Sequence, residues 1–229
     1  IVNAMKIITA QEAIESIENN SNVFIHSAAM TPTVLVSALT KYCKEDNISL
    51  IHIHTEGTAG YVSDAASNFH TYSCFVGGNV RKQINTNRNA NYIPVFLSEV
   101  GKVLSEGDKK VDTALLRVSP PDVHGWCSLG VSLDVTMAAI KAAKRIIVEF
   151  NSNVPRVHGD GWIHVNDIDL AVETKEPMFH STPKVLTQQE IKIGAHIAGL
   201  IEDGSTLQMG IGGVPDAVLA QLTNHKDLG

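Results

Sequence analysis

Ser132-Leu-Asp-Val-Thr-Met-Ala-Ala-Ile-Lys-Ala-Ala-Lys144 runs straight into Arg145-Ile-Ile-Val-Glu-Phe150. The first stretch is rich in alanine and opens on a serine, so a helix over 132–144 with Ser132 as its N-cap is expected. The second is apolar enough to be a strand in the centre of a sheet. The same alternation extends outward. Asn22–His26 reads as a short strand. A helix over Thr31–Tyr42 follows, with Val34, Leu35, Ala38 and Leu39 at helical spacing. Ile48–His54, Tyr92–Leu97 and Val111–Val118 read as further strands. The expected fold class is α/β, a mostly parallel sheet with flanking helices. Glu176–Gln188, with Pro177, Pro183 and little periodicity, is the nearest thing to a boundary.

Gln11–Leu39 and Glu190–Leu222 share one pattern. Each starts with an amphipathic helix and continues through a polar turn (Asn19-Asn20-Ser21-Asn22; Glu202-Asp203-Gly204-Ser205). A short strand comes next (Val23-Phe24-Ile25; Thr206-Leu207-Gln208), then a loop ending in proline and a second helix. Pro32 and Pro215 align, and proline suits a first helical turn because its missing N–H has no intrahelical partner there. The repeat predicts a complete first lobe followed by the opening of a second similar one. A single βα step cannot close its own core. The chain therefore reads as a fragment.

The 229 residues are 44% apolar and 18% charged, which suits a folded core and excludes a disordered acidic tail. A net charge of −6 argues against a general nucleic-acid binder. No apolar run is long enough to span a membrane. Three cysteines without a C-x-x-C argue against a disulfide framework and fit a reducing, cytoplasmic setting. Asn3-Ala4-Met5 reads as a cloning scar before a native start, so residues 1–4 are set aside.

Gly210-Ile-Gly-Gly-Val-Pro-Asp216 is the strongest chemical signal. Its glycines allow a ligand close to the backbone, and the helix N-terminus that follows offers N–H groups to a developing oxyanion. Gly77-Gly78-Asn79-Val80-Arg81 is a second glycine turn. Ser119-Pro120-Pro121-Asp122-Val123-His124-Gly125 and Asn151–Arg156 follow strand ends, where open α/β sheets bind ligands. Arg156 suits a carboxylate, a phosphate or an internal salt bridge equally well. His52 and His54 share a strand face but have no third ligand at fitting spacing, so no metal site is expected. Cys127 reads as a buried structural cysteine and Glu99 as a helix-start carboxylate.

Phe75–Arg81, Tyr92–Glu99, Val118–Asp122 with His124-Gly125 and Ser128-Leu-Gly130, Asn151–Arg156 and Gln208–Asp216, taken in order, resemble the acetyl-CoA hydrolase/transferase family, the family I CoA-transferases. The resemblance covers residues 6–229. It implies a NagB/RpiA-like CoA-transferase lobe over 5–180 and the beginning of a C-terminal lobe over 188–229. It also implies transfer of CoA between a short-chain acyl-CoA (4-hydroxybutyryl- or butyryl-CoA) and acetate, through a glutamyl-CoA thioester. The family's glutamate is expected just after Gly229, so no catalytic residue is assigned within the chain, and the chain by itself is expected to be inactive. Gln208, Gly210, Ile211, Gly212, Gly213 and Val214 take the CoA-contact and oxyanion role. Gly77, Gly78, Asn79, Arg81, Ser119, Pro120, Asp122, Asn153 and Arg156 are the candidate substrate-side residues. Coenzyme A is implied as a substrate, with no permanently bound cofactor. The implied partners are acyl-CoA, a small carboxylate, the missing C-terminal lobe and further copies of the full protein, with neither nucleic acid nor membrane. The alternatives are an acetyl-CoA hydrolase and a non-catalytic ligand-binding α/β domain.

Overall fold

In the computed structural model, residues 5–86, 89–180, 182 and 185–229 are described. Residues 1–4, read above as a scar, and Pro183 of the boundary stretch lie outside them. The chain divides into two compact units, 1–180 and 181–229.

Among the described residues the first unit is built on ten strands: β1 (Lys6–Ile7), β2 (Asn22–Ile25), β3 (Ile48–His52), β4 (Phe69–Ser73), β5 (Ala90–Tyr92), β6 (Thr113–Val118), β7 (Trp126–Ser128), β8 (Arg145–Asn151), β9 (Trp162–His164) and β10 (Leu170–Thr174). Its helices are α1 (Ala10–Glu15), α2 (Thr33–Tyr42), α3 (Arg81–Asn85), α4 (Leu97–Ser105) and α5 (Thr136–Ala142). Eight strands form one sheet in the order β1-β10-β8-β6-β2-β3-β4-β5. Every pairing in it is parallel, from Lys6 opposite Leu170 at one edge to Ser73 opposite Tyr92 at the other. β7 and β9 form a separate antiparallel ribbon.

Alternation along the strands sorts the core onto two faces. Val23, Ile25, Leu50, Leu115, Ile147 and Val172 meet Ile14 of α1 and Leu35 and Leu39 of α2. Phe24, Ile51, Leu116, Val148 and Phe150 meet Val100 and Leu104 of α4 and Ala139 of α5. β6 is buried along its whole length and β8 from Ile146 onward, as central parallel strands must be.

Three expectations are corrected. The strand expected over Tyr92–Leu97 ends at Tyr92, and Leu97 already opens α4. Pro94 has no N–H to give a ladder, and Val100 and Leu104 lie one helical turn apart on the buried face of α4. The helix expected over 132–144 is only Thr136–Ala142, and Ser132 is not its cap. Asp134 does the local work: it accepts the Val135 N–H and the Thr136 hydroxyl. Residues 206–208 form no ladder strand. Gly229 runs beside them: its N–H donates to Ser205 O at 3.1 Å and its carbonyl accepts from Leu207 N–H at 2.8 Å.

The second unit packs α6 (Gln188–Ala198) against α7 (Gly213–Gln221). Gly194 lets the two backbones approach, since a Cβ there would lie 2.6 Å from the Ala217 carbonyl carbon. Ala198, Val218 and Leu222 form its small core.

The two units repeat one local design. Thr9 and Thr187 each close a capping box, with Glu12 and Glu190 three residues on. Asn20 and Gly204 follow at φ of 58° and 78°. Asn19 Oδ1 accepts from Asp46 N–H at 2.7 Å, and Asp203 Oδ1 accepts from Lys226 N–H at 2.9 Å. Asn47 and Asp227 then take nearly the same left-handed conformation, at 56° and 54°.

Candidate active site

Because the large sheet is all parallel, the loops after β2, β3, β4, β6, β8 and β10 open on one edge, the carboxyl edge. The substrate-side candidates all fall there. Ser119, Asp122 and Arg156 are brought into one network. Arg156 donates to Asp122 Oδ2 at 3.0 Å and to Ser119 Oγ and the carbonyls of Pro120 and Trp126 at 3.3 Å. Its guanidinium also lies over the Trp162 ring, 4.7 Å from the centroid. Asp122 Oδ1 accepts the N–H groups of His124 and Trp126, and the Trp126 N–H bond and the neighbouring Arg156 charge help to hold its carboxyl below the usual range. These polar groups brace the loops after β6 and β8 against each other, so Arg156 is used as an internal salt bridge.

Asn153 serves a different contact. Its Nδ2 donates to the carbonyls of Lys175 and Glu176, and Asn151 Nδ2 also reaches Glu176 O at 2.8 Å. Together they pin the segment that leaves β10. That segment carries Phe179 onto Gly57, where a Cβ at φ +82° would collide with the ring. Gly77, Gly78, Asn79 and Arg81 follow β4, three strands from β6 in the sheet order. Asn79 Nδ2 donates to the carbonyls of Thr55 and Gly57 and to Thr55 Oγ1, while Arg81 reaches the Val76 carbonyl at 3.4 Å. Neither glycine has a positive φ.

Behind this edge is a polar cluster that sequence reading missed. Arg117 on β6 and Glu149 on β8 are both fully buried and form an ion pair, with Nη2 3.0 Å and Nε 3.2 Å from Oε1. Glu149 Oε2 accepts the Leu35 N–H at 2.9 Å, so the pair ends on the first turn of α2. Arg117 Nη2 also donates to Thr33 Oγ1. Burial pushes the Glu149 carboxyl up, against the guanidinium and the Leu35 N–H that pull it down. The Arg117 backbone N–H donates to His26 Nδ1 at 3.3 Å, which leaves the His26 Nε2–H to donate to Ser132 O at 2.7 Å. His26 is therefore a neutral imidazole with a fixed tautomer, and burial lowers its pKa. The available signal was one charge in each of two apolar runs, Leu-Leu-Arg117-Val and Ile-Val-Glu149-Phe.

The other special residues have settled roles. Burial lowers the His52 pKa to about 4, and its Nε2 lies 3.4 Å from the Tyr61 hydroxyl. His54 packs edge-on to Phe75 instead of sharing a site with His52. Among the described residues no group of three His, Cys, Asp or Glu side chains is placed to hold a metal ion. Burial pushes the Cys127 thiol up to about 12, which leaves it a thiol at neutral pH. Glu99 sits in the first turn of α4.

In the second unit the Gly210–Val214 loop is open. Ile211 is completely exposed, and Gln208 and Gly210 are exposed beside it. Gly212 is the N-cap of α7 at φ 133°, ψ 178°, a conformation nearly restricted to glycine. Gly213 has another cause: a Cβ there would fall inside the Glu190 carboxylate. Gly210 has neither cause. Its φ is not positive, and the nearest atom to a Cβ would be Pro215 Cγ at 3.6 Å, an ordinary contact.

A family model for the acetyl-CoA hydrolase/transferase N-terminal domain matches residues 4–180. The chain is 45% identical over 217 residues to the succinyl-CoA:acetate/propanoyl-CoA:succinate CoA transferase of Fasciola hepatica, covering 93% of this chain and 45% of that protein. It is 43% identical over 228 residues to the 4-hydroxybutyrate coenzyme A transferase of Clostridium kluyveri, covering 98% and 52%. Among solved structures, RipA from Yersinia pestis superposes with a TM-score of 0.89 at 30% identity, over 98% of this chain and 55% of that one. The chain thus spans about half the length of the curated relatives it matches. With the family model matching most of its length, the chain belongs to the acetyl-CoA hydrolase/transferase family.

Proposed function

We propose that these residues are the N-terminal half of a CoA-transferase that moves CoA between a short-chain acyl-CoA and acetate. The observation that carries this reading is the Gly210–Val214 loop. Two of its glycines answer needs inside the unit, whereas at Gly210 neither a positive φ nor a tight contact calls for glycine. An acyl-CoA thioester laid along that face meets backbone N–H groups and the Gln208 amide, the donors a developing oxyanion needs. Gln208, Gly210, Ile211, Gly212, Gly213 and Val214 are the assigned contacts. Pro215 removes one donor from the first turn of α7, and Glu190 lies beside that turn, so the thioester oxygen approaches from the Gly210 side.

In the proposed cycle a glutamate carboxylate beyond Gly229 attacks the thioester carbonyl. This forms a mixed anhydride and expels the CoA thiolate. The thiolate then attacks the glutamyl carbonyl, giving a glutamyl-CoA thioester and the free acyl carboxylate. Acetate attacks that thioester, and the released thiolate takes the acetyl group. The cycle ends with acetyl-CoA and the original glutamate. Coenzyme A is substrate throughout, and no permanently bound cofactor enters. Among the described residues no helix is long and apolar enough to cross a membrane. We place the protein in the cytoplasm and the full protein in a homo-oligomer. The first unit is the N-terminal lobe, and residues 188–229 open the second. Ile193, Ile197 and Leu200 of the second unit are exposed and are the side chains that the rest of that lobe covers.

The test supplies butyryl-CoA and acetate to the full-length gene product and to residues 5–229 alone. Acetyl-CoA made only by the full-length protein supports the reading. Free CoA released at the same rate without acetate means a hydrolase. No turnover by either, with CoA still bound, means a ligand-binding domain.

A further inference from the structure

We infer that the buried Arg117–Glu149 pair is a positioning device for the reaction, setting the start of α2 and the loop 26–32 at the carboxyl edge of the sheet. The inference rests on the CoA-transferase reading and adds two residues that nothing in the Gly210–Val214 loop requires. Both side chains are fully buried. Removing two charges from water is expensive, and well-packed apolar side chains of the same volume usually do as well or better for stability. Stability is therefore a poor reason for the pair to be here.

Its connections give a better one. Through Leu35 N–H and Thr33 Oγ1 the pair holds the first turn of α2, the turn that receives loop 26–32. Through the Arg117 N–H it reaches His26, the first residue of that loop. His26 passes the constraint on to Ser132, in the loop after β7. One ion pair thus fixes parts contributed by β2, β6, β8 and α2, all at the edge where open sheets of this kind bind ligands. Apolar replacements would fill the same volume but could not hold the N–H of Leu35 or the hydroxyl of Thr33. The positions of the loops would then relax, and small displacements at a reacting edge lower rate far more than they lower stability.

The experiment uses the full-length protein with Arg117→Met/Glu149→Leu, and Arg117→Lys as the conservative variant. Melting temperature, kcat and KM are measured for each, together with amide exchange over residues 26–36. The double variant is expected to melt below the wild type, because the buried Leu35 N–H loses its acceptor, to exchange faster over 26–36, and to lose about 10- to 100-fold in kcat with a smaller change in KM. Arg117→Lys keeps the charge but loses the planar fork, and is expected to lose kcat less severely. Wild-type kcat and wild-type exchange in a folded double variant would overturn the inference. If the double variant does not fold, Arg117→Lys decides: wild-type kcat there overturns it, and reduced kcat at an unchanged melting temperature supports it. A wild-type protein that transfers no CoA removes the transferase reading instead, and the exchange rates over 26–36 still decide whether the pair positions that segment.

Discussion

The loops 26–32 and 209–215 occupy the same place in the repeated design and are built in opposite ways. In the first, His26, Ser27, Met30 and Thr31 are buried. Thr31 Oγ1 donates to Ala28 O and accepts the Glu56 N–H, while the Ala28 N–H donates to His54 O. Met30 is wedged against Gly130, where a Cβ would lie 2.6 Å from its sulfur. In the second, Ile211 faces solvent and glycine stands at 210, 212 and 213, the last opposite Met30 in the repeat. A buried carboxylate, Glu149, takes an N–H of the first turn of α2, and the Glu190 carboxylate lies against the first residue of α7. The same scaffold thus yields a filled plug in one unit and an open, glycine-lined approach in the other. The proposed CoA contact falls on the open one.

The contrast can be broken first at Met30. If loop 26–32 is a plug, Met30→Ala leaves a cavity and destabilises the first unit by about 3 kcal/mol, read by urea unfolding. A loss under about 1 kcal/mol would mean the loop collapses freely and is no plug. Both tryptophans, Trp126 and Trp162, lie in the first unit, so their fluorescence reports on it alone.

Acid separates the units next. His52 is buried and neutral with its pKa lowered to about 4, and that of buried His26 is also lowered. The unfolded chain binds these protons first, so stability is complete above pH ~6.5 and falls as pH drops toward 4, by about 3 kcal/mol for His52. Tryptophan-monitored unfolding at pH 7 and 4.5 measures the loss, and His52→Gln should flatten it. An equal slope in His52→Gln would assign the sensitivity elsewhere.

Gly213 and Glu190 sharpen the comparison from the other side. Gly213→Ala is expected to cost the second unit about 2 kcal/mol, because the new methyl displaces the carboxylate. Adding Glu190→Ala removes the obstacle, so the double variant should be more stable than the two single losses predict. Strict additivity, measured by exchange protection of α6 and α7, would dissolve that contact. The smallest effect is at Ala28, which holds φ +53° without being glycine. Ala28→Gly should change stability by less than about 1 kcal/mol, relief of the left-handed strain being offset by a more flexible unfolded chain. A large loss would show that the Ala28 methyl is part of the plug.

The legibility of these features followed their range. β2, β3, β6 and β8 were visible because parallel strands covered on both faces read as apolar runs. β4, Phe69-His-Thr-Tyr-Ser73, and β10, Leu170-Ala-Val-Glu-Thr174, carry polar residues near the sheet edges and were not picked out. The strand expected over Tyr92–Leu97 overran into the cap and first residue of α4 because Val95-Phe96-Leu97 is too short an apolar run to show a period. At the site, the glycines of 210–213 announced themselves through backbone freedom, a local property. Arg156, Asp122 and Asn153 were recognisable as unusual, but whether they face a ligand or one another depends on partners more than twenty residues away. For Arg117 and Glu149, 32 positions apart, only the fold supplies the pairing.

The pairing of Lys6 with Leu170 also sets a schedule for synthesis. An edge strand that joins the sheet beside a strand 164 positions later stays unpaired on the ribosome until that strand has emerged. At ordinary elongation rates the delay is on the order of 10 s. Before then β10 has not formed, and the open flank of β8, Arg145-Ile-Ile-Val-Glu-Phe-Asn151, presents free N–H and C=O groups to any neighbouring chain. Nascent chains whose emerged portion ends between residues 151 and 170 are thus the stage at which this fold most needs a chaperone.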